Sequence, residues 1–333
     1  MPSPKVSIVL VPGASAPAGI NTIKSLKMAD FVGKIVATDS SYLSAGFLMA
    51  DINEVIPEAD NNSFIERLFK IVKLHQVQVL MPSSGFDIYS YSENYKELAE
   101  MGAQAVVSDR NVLEICRDKL LTYQNLAGRF KLPFTTTDSN KINKFPLLAK
   151  PRFGKGSRDV IRIDDEADLK FVTSKLDEMI FQEFLPGTEY TIDVLCDLNK
   201  KALIAVPRIR LQTKAGISTK GRVVRDPDLE LTCLKIAESV GIMGPCCIQM
   251  KESSEGELKL IEINPRMGGG TIFSTLAGVN FPALILEMIE HKEITIPKIL
   301  EITVIRYFEE IVIKNEEKVP VGTNLLAKTN FLQ

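Results

Sequence analysis

The segment KLIEINPRMGGG, residues 259 to 270, concentrates more usable chemistry than any other stretch of the chain. Period-two alternation puts Glu262, Asn264 and Arg266 on one strand face with no apolar residue among them. The preceding strand-like segment, GPCCIQMKE, carries Gln249. A two-residue turn at Glu255-Gly256 would set Gln249 directly opposite Glu262. Opposed Cβ atoms on a sheet are about 4.5–5.5 Å apart, so one cation could reach both side chains. Oxygen donors with few carboxylates suit Mg2+ shared with substrate phosphates. Arg266, just beyond, could hold a transferring phosphoryl group. The same spacing also fits a solvated polar face on which Arg266 pairs with Glu262.

Three further segments add to this set. LLAKPRFGKGSRDV offers Lys150 at a strand end, then Gly154, Gly156 and Ser157, whose backbone N–H groups could wrap phosphates. It is not a GxxxxGK[ST] loop. QEFLPGTEYTIDV places Glu183 and Leu185 on one strand face, followed by Glu189. The backbone of such a strand could meet an adenine edge, and the later carboxylate could hold ribose hydroxyls; an ordinary strand–turn–strand reads the same way. VPRIRLQ puts Arg208 and Arg210 on one face, with Lys214 and Arg222 nearby, as a bidentate carboxylate grip or a solvated face.

The bulk composition narrows the classes. The chain has 333 residues, 45% hydrophobic and 25% charged, with a net charge of −2. No basic excess favours nucleic acid or an anionic membrane, and the absence of Trp argues against a base-stacking platform. The apolar run Val6–Val11 is too short for a signal h-region or a membrane span, so the expectation is a cytoplasmic protein. Cys116, Cys196, Cys233, Cys246 and Cys247 include no CxxC pair and read as reduced core residues. His75 and His291 fall near helix ends, leaving carboxylates, Lys, Arg and amides for any catalysis.

Elements that could position these groups follow from periodicity. The first hundred residues alternate strand and helix, which predicts a parallel sheet with right-handed crossovers. The loop PGASAPAG and Asp39 imitate a dinucleotide-binding turn, although GxGxxG is not satisfied. DRNVLEICRDKLLTYQNLAGR predicts one long amphipathic helix capped by Asp109. Residues 131–187 then form a small α+β unit. Residues 188–313 alternate at period two and predict an antiparallel sheet with helices on one face. The tail, 314–333, has no clear pattern.

Taken in order, GASAPAGINTIKSLK, KPRFGKGS, QEFLPGTEYTIDV, GISTKG and EINPRMGGG resemble the ATP-grasp superfamily. The similarity spans most of residues 5 to 290 and is greatest to a single ATP-grasp half of the carbamoyl-phosphate synthase large subunit and related carboxylate–amine ligases. The resemblance implies an α/β and α+β fold with a Rossmann-like pre-ATP-grasp domain at 1–108, a linking helix at 109–130, a lid subdomain at 131–187 and a C-terminal subdomain with the metal site at 188–313. It implies that Lys119 and Lys150 contact nucleotide phosphates under a lid running from Gly154 through Gly156 to Ser157. Glu183 and Leu185 would bind adenine and Glu189 ribose. Gln249, Glu262 and Asn264 would hold two Mg2+ ions, or Mn2+, and Arg266 would stabilise the transition state, with Lys150 and Glu262 also catalytic. The expected activity is ATP-dependent ligation of small-molecule carboxylates and amines through an acyl phosphate. Its alternatives are a bicarbonate- or carbamate-using or non-catalytic module, and a dinucleotide-dependent oxidoreductase. A homo-oligomer is compatible. Two features depart from the family: Met267 and three glycines follow Arg266, and one ATP-grasp unit is present with no visible glutaminase segment.

Overall fold

A computed structural model describes residues 5–154 and 159–313. The alternating N-terminal segments build a parallel five-stranded sheet from β1 (Ile8–Pro12), β2 (Lys34–Asp39), β3 (Ile52–Val55), β4 (Val79–Leu80) and β5 (Gln104–Ala105), in the order β3-β2-β1-β4-β5. Helices α1 (Pro17–Met28), α2 (Phe64–His75), α3 (Asp87–Glu93) and α4 (Tyr95–Glu100) connect or flank these strands. The strand order reverses between β1 and β4, so the loops after these two strands flank a topological switch point, where sheets of this kind bind ligands. Asp39, the residue that imitated a ribose acid, is buried. Its two oxygens accept the N–H groups of Ser15 (2.7 Å) and Ser41 (3.0 Å). It thus closes its own loop with both oxygens.

The predicted long helix is two helices, α5 (Arg110–Arg117) and α6 (Lys119–Leu126). Asp109 occupies the α5 N-cap position without a side-chain cap and pairs with Lys200 instead. The break is at Asp118, which takes an extended backbone and accepts N–H bonds from Leu120 (2.9 Å) and Leu121 (3.2 Å), capping α6. Asp118 is buried and also receives Arg152 Nε (2.9 Å) and Nη2 (2.6 Å). The amphipathic spacing runs through this position and hides the break. Because of it, Lys119 begins a helix instead of sitting within one.

The next unit is an antiparallel sheet, β6 (Thr135–Thr136), β7 (Leu147–Pro151), β8 (Ile161–Ile163) and β9 (Met179–Glu183), ordered β6-β9-β7-β8, with α7 (Glu166–Lys175) and a small core of its own. Strand β9 ends at Glu183, so Leu185 lies beyond the strand and not on its face; the Pro186-Gly187 turn ends the ladder early. Leu185 is itself buried.

The last unit is a six-stranded antiparallel sheet: β10 (Glu189–Cys196), β11 (Ala202–Lys214), β12 (Ile217–Val223), β13 (Gly244–Glu252), β14 (Leu258–Asn264) and β15 (Thr303–Ile305), ordered β14-β13-β10-β11-β12-β15. Helix α8 (Pro227–Val240), with α5 and α6, covers one face through Ile192, Val194, Cys246, Ile248, Leu260 and Ile263. Alternation therefore turns the residues between them to the opposite face. Helices α9 (Thr271–Leu276) and α10 (Phe281–Ile289) bridge back to the first sheet, sharing its core with Val9, Ile23 and Leu26. All five cysteines are buried free thiols. Among the described residues no helix is long and apolar enough to cross a membrane.

Candidate active site

Gln249 does lie opposite Glu262, but not by way of a two-residue turn. The β13–β14 connection is longer: Ser253 and Glu257 pair across Ser254, Glu255 and a left-handed Gly256. That shifts the ladder by one residue, so Lys251 faces Lys259 and Met250 faces Leu260. A bulge between Leu260 and Glu262 absorbs Ile261 and restores the shift. Its consequence is chemical: Lys259, Glu262 and Asn264 all emerge on the polar face while Leu260 and Ile263 stay in the core.

On that face Glu262 is a point of convergence. Its Oε1 accepts N–H bonds from the Gln249 amide at 2.6 Å and the Asn264 amide at 2.8 Å. Turned over, the Asn264 amide would present its oxygen to a cation held by Glu262, and Gln249 could do so once Arg210 Nη1 gives up its Oε1. One carboxylate with two amide oxygens is too weak a donor set to strip a divalent ion, which suits Mg2+ completed by water and phosphate. Among the described residues, no cluster of His, Cys, Asp or Glu offers a competing metal site.

Two lysines on other elements feel the charge of this carboxylate. Lys119 Nζ donates to Pro151 O (3.0 Å) and Gly154 O (3.2 Å) from the first turn of α6. Lys150 Nζ donates to Gln182 Oε1 at 2.7 Å across β7 and β9. Burial lowers both ammonium groups, Lys150 to about 8, against the pull of Glu262. Neither lysine forms an ion pair with Glu262 within contact distance among the described residues, so both positive charges are available to phosphate oxygens. Gly154 is exposed; Gly156 and Ser157 lie outside the described residues.

The remaining predicted residues are each engaged with a neighbouring group. Glu183 accepts Lys259 Nζ on both oxygens (2.7 and 2.9 Å) and the Phe134 N–H at 3.1 Å. Glu189 pairs with Arg210, whose Nη1 also donates to Gln249 Oε1 at 3.0 Å and whose Nη2 donates to Gly216 O at 2.7 Å. Arg210 thus ties the expected ribose residue to the expected metal residue. Arg208 is buried, 2% exposed, under Gly270, with Nη1 donating to Ser218 Oγ at 3.1 Å. Arg266 donates to Met267 O at 2.9 Å and has no carboxylate partner among the described residues, so the pairing with Glu262 does not form.

The three glycines after Met267 have a packing reason. A Cβ on Gly268 would lie 2.3 Å from Cys247 Sγ, and one on Gly270 would lie 2.3 Å from Arg208 Nη2. Gly269 O accepts Asn21 Nδ2 at 2.8 Å, and Met267 N–H donates to Pro82 O at 2.9 Å. The loop carrying Arg266 is therefore clamped between the six-stranded sheet and, from the first unit, helix α1 and the loop after β4.

Sequence reasoning missed Lys251, Lys259, Gln182, Asp118 and Arg306. Lys251 was legible, two residues beyond Gln249 on the same face; it adds to the positive field at Lys150. The others depend on pairings across separate elements.

Residues 175–311 match the family described as ATP-grasp in the biosynthetic pathway with Ter operon. The chain is 25% identical over 276 residues to a carbamoyl phosphate synthase large chain of Clostridium beijerinckii, covering 75% of this chain and 25% of that one. It is 23% identical over 184 residues to a D-alanine–D-alanine ligase of Neisseria gonorrhoeae, covering 48% and 60%. The chain thus spans less than two thirds of either relative. Its fold superposes on a biotin carboxylase–ATP analogue complex from Campylobacter jejuni with a TM-score of 0.71 at 14% identity, covering 89% of this chain and 74% of that one. The superposition gives the chain the fold of this ATP-grasp structure, and its sequence resembles an ATP-grasp family over residues 175–311 and two ligase relatives over part of their own length.

Proposed function

We propose that the protein is an ATP-dependent carboxylate–amine ligase. The observation that carries this reading is the convergence of Gln249 and Asn264 on Glu262 Oε1, within the electrostatic reach of Lys119 and Lys150. Such a site would bind a polyphosphate and its divalent ions, and the chemistry proposed for it needs no covalent intermediate on the protein. The adenine edge would lie along Glu183 to Leu185 and ribose at Glu189. Mg2+, as one ion or two, or Mn2+, would be held by Gln249, Glu262 and Asn264 and would neutralise charge on the transferring phosphoryl group. Gly154 and the segment through Gly156 and Ser157 would cover the phosphates.

Lys150 and Arg266 position and neutralise the γ-phosphoryl group as a substrate carboxylate oxygen attacks its phosphorus. The bond to the β-phosphate oxygen breaks, leaving ADP and an acyl phosphate. An amine nitrogen then attacks the acyl carbon, inorganic phosphate departs, and the nitrogen loses its proton to phosphate or solvent. The names of the relatives support this chemistry: one is a ligase joining two D-alanines and another a carbamoyl phosphate synthase. The second of these also supports a variant that uses bicarbonate or carbamate as the acid. Hydroxylamine tests the central step. With Mg2+-ATP and a pooled acid panel, the reading expects acid-dependent hydroxamate and stoichiometric ADP. ADP without hydroxamate or amide from any acid would overturn it, and bicarbonate-dependent ADP alone would favour the carboxylase-like variant.

A further inference from the structure

Arg306 directly follows β15, and its backbone N–H donates to Thr219 O at 2.9 Å. That contact carries the side chain back over the glycine loop, where Nη2 donates to Gly269 O at 2.6 Å. Its guanidinium lies 5.0 Å from the centre of the Phe273 ring, and that of Arg208 lies at the same distance from it. Arg266 begins the same loop. Three guanidinium groups therefore crowd one short segment.

The counter-charge is insufficient. Asp193 is the single acid paired within this cluster among the described residues, at 3.8 Å from Arg208 Nη2. It is 1% exposed and already accepts Cys247 Sγ at 2.9 Å and Ser274 Oγ at 2.7 Å. Arg208 Nε is buried with no hydrogen-bond partner. Withdrawing guanidinium groups from water without a matching anion is costly, and a cation over an aromatic face recovers only about 1–2 kcal/mol. Burial, and then repulsion from Arg208, pushes Arg306 down to about 10, which is the direction an unmet cation takes. An anionic group placed at Gly269 would balance the cluster, and it would lie further along the same loop from the phosphoryl-transfer end at Arg266.

We propose that Arg306, backed by Arg208, binds a second carboxylate of the acid substrate, so that the protein selects dicarboxylic over monocarboxylic acids. Taking the anion from the acid substrate rests on the ligase reading; anion binding by the arginine cluster does not. The test is equilibrium binding of succinate, glutarate, L-aspartate and L-glutamate, against acetate and L-alanine. It is run with the β,γ-imido analogue of ATP and Mg2+ on the wild-type chain, Arg306→Gln and Arg306→Lys. At least one dicarboxylate is expected to bind about 10- to 100-fold more tightly than the monocarboxylates, the worth of one charge-assisted contact. Arg306→Gln should abolish that preference while leaving nucleotide-analogue affinity unchanged, and Arg306→Lys should keep part of it. No dicarboxylate preference in the wild type, or a preference that survives in Arg306→Gln, overturns the proposal. If Arg306→Gln fails to fold, Arg306→Lys decides: an undiminished preference there overturns the guanidinium assignment, and a reduced one supports it. Dicarboxylate binding lost in the variant, together with ADP release but no hydroxamate or amide from any acid, would sink the ligase reading and leave the arginine cluster's anion binding standing.

Discussion

Lys150 offers a pH signature of the proposed nucleotide site. Its ammonium is mostly buried, donates to Gln182 at 2.7 Å and is pushed down by burial to about 8, from an ordinary lysine value near 10.4. Only the protonated form attracts phosphate. ATP affinity should then be flat to about pH 7.5 and fall above about pH 8, approaching tenfold per pH unit. The fall should level off after about 10- to 100-fold, the worth of a charge-assisted hydrogen bond. Phosphate itself does not confuse this window, since its last ionisation is near 6 and complete by then. Nor do thiols: burial raises all five, Cys116 and Cys196 to about 12. The assay is calorimetric ATP titration from about pH 6.5 to about 9.5 on wild type, Lys150→Met and Lys150→Arg. Lys150→Met should be weak and lose the break near pH 8, and Lys150→Arg should lose it because its guanidinium stays charged; any fall due to Lys119, which burial also lowers, is common to all three. The sign for stability runs the other way. A lysine with a depressed value is penalised in its charged form, so ligand-free stability rises with pH between about 8 and the ordinary lysine value. A break that persists in Lys150→Met, or a wild type with none, would refute the reasoning.

Three other perturbations separate structural from chemical roles. Gly268→Ala should destabilise by about 1–3 kcal/mol in urea unfolding, because its Cβ meets Cys247 Sγ; adding Cys247→Ala should recover part of the loss. Asp118→Ala should cost about 1–3 kcal/mol through the lost cap and the stranded Arg152, and should raise the KM for ATP by displacing Lys119. An unchanged KM would separate Lys119 from the nucleotide. Arg210→Ala should raise the KM for ATP several-fold and leave that for the acid unchanged, since its contacts are Glu189 and Gln249; the reverse split would return Arg210 to the substrate grip.

Much of the fold was legible because apolar periodicity is written locally. The parallel first sheet and the two-faced antiparallel sheet both follow from alternation that the core enforces. The Gln249–Glu262 pair was read correctly by a faulty route, since a longer turn and a bulge cancel to the same register. Asp118 was missed because a helix break made by a buried Asp–Arg pair leaves amphipathic spacing intact on both sides. Leu185 was placed on a strand that ends two residues earlier. Arg208 and Arg210 looked equivalent by spacing, yet one is buried beside Asp193 and the other bridges Glu189 and Gln249. Arg306 carried no local signal: its place depends on β15 pairing with β12 across the sheet edge.

Glu262→Gln tests the central claim most directly. Substrate-dependent ADP release from Mg2+-ATP would be measured with pooled amino acids and small carboxylates, for wild type and variant, alongside circular dichroism to confirm the fold. The site as described predicts at least about a 100-fold loss of ADP release with the fold retained. Normal ADP production by Glu262→Gln would contradict the assignment of Gln249, Glu262 and Asn264 as the metal-bearing face of the active site.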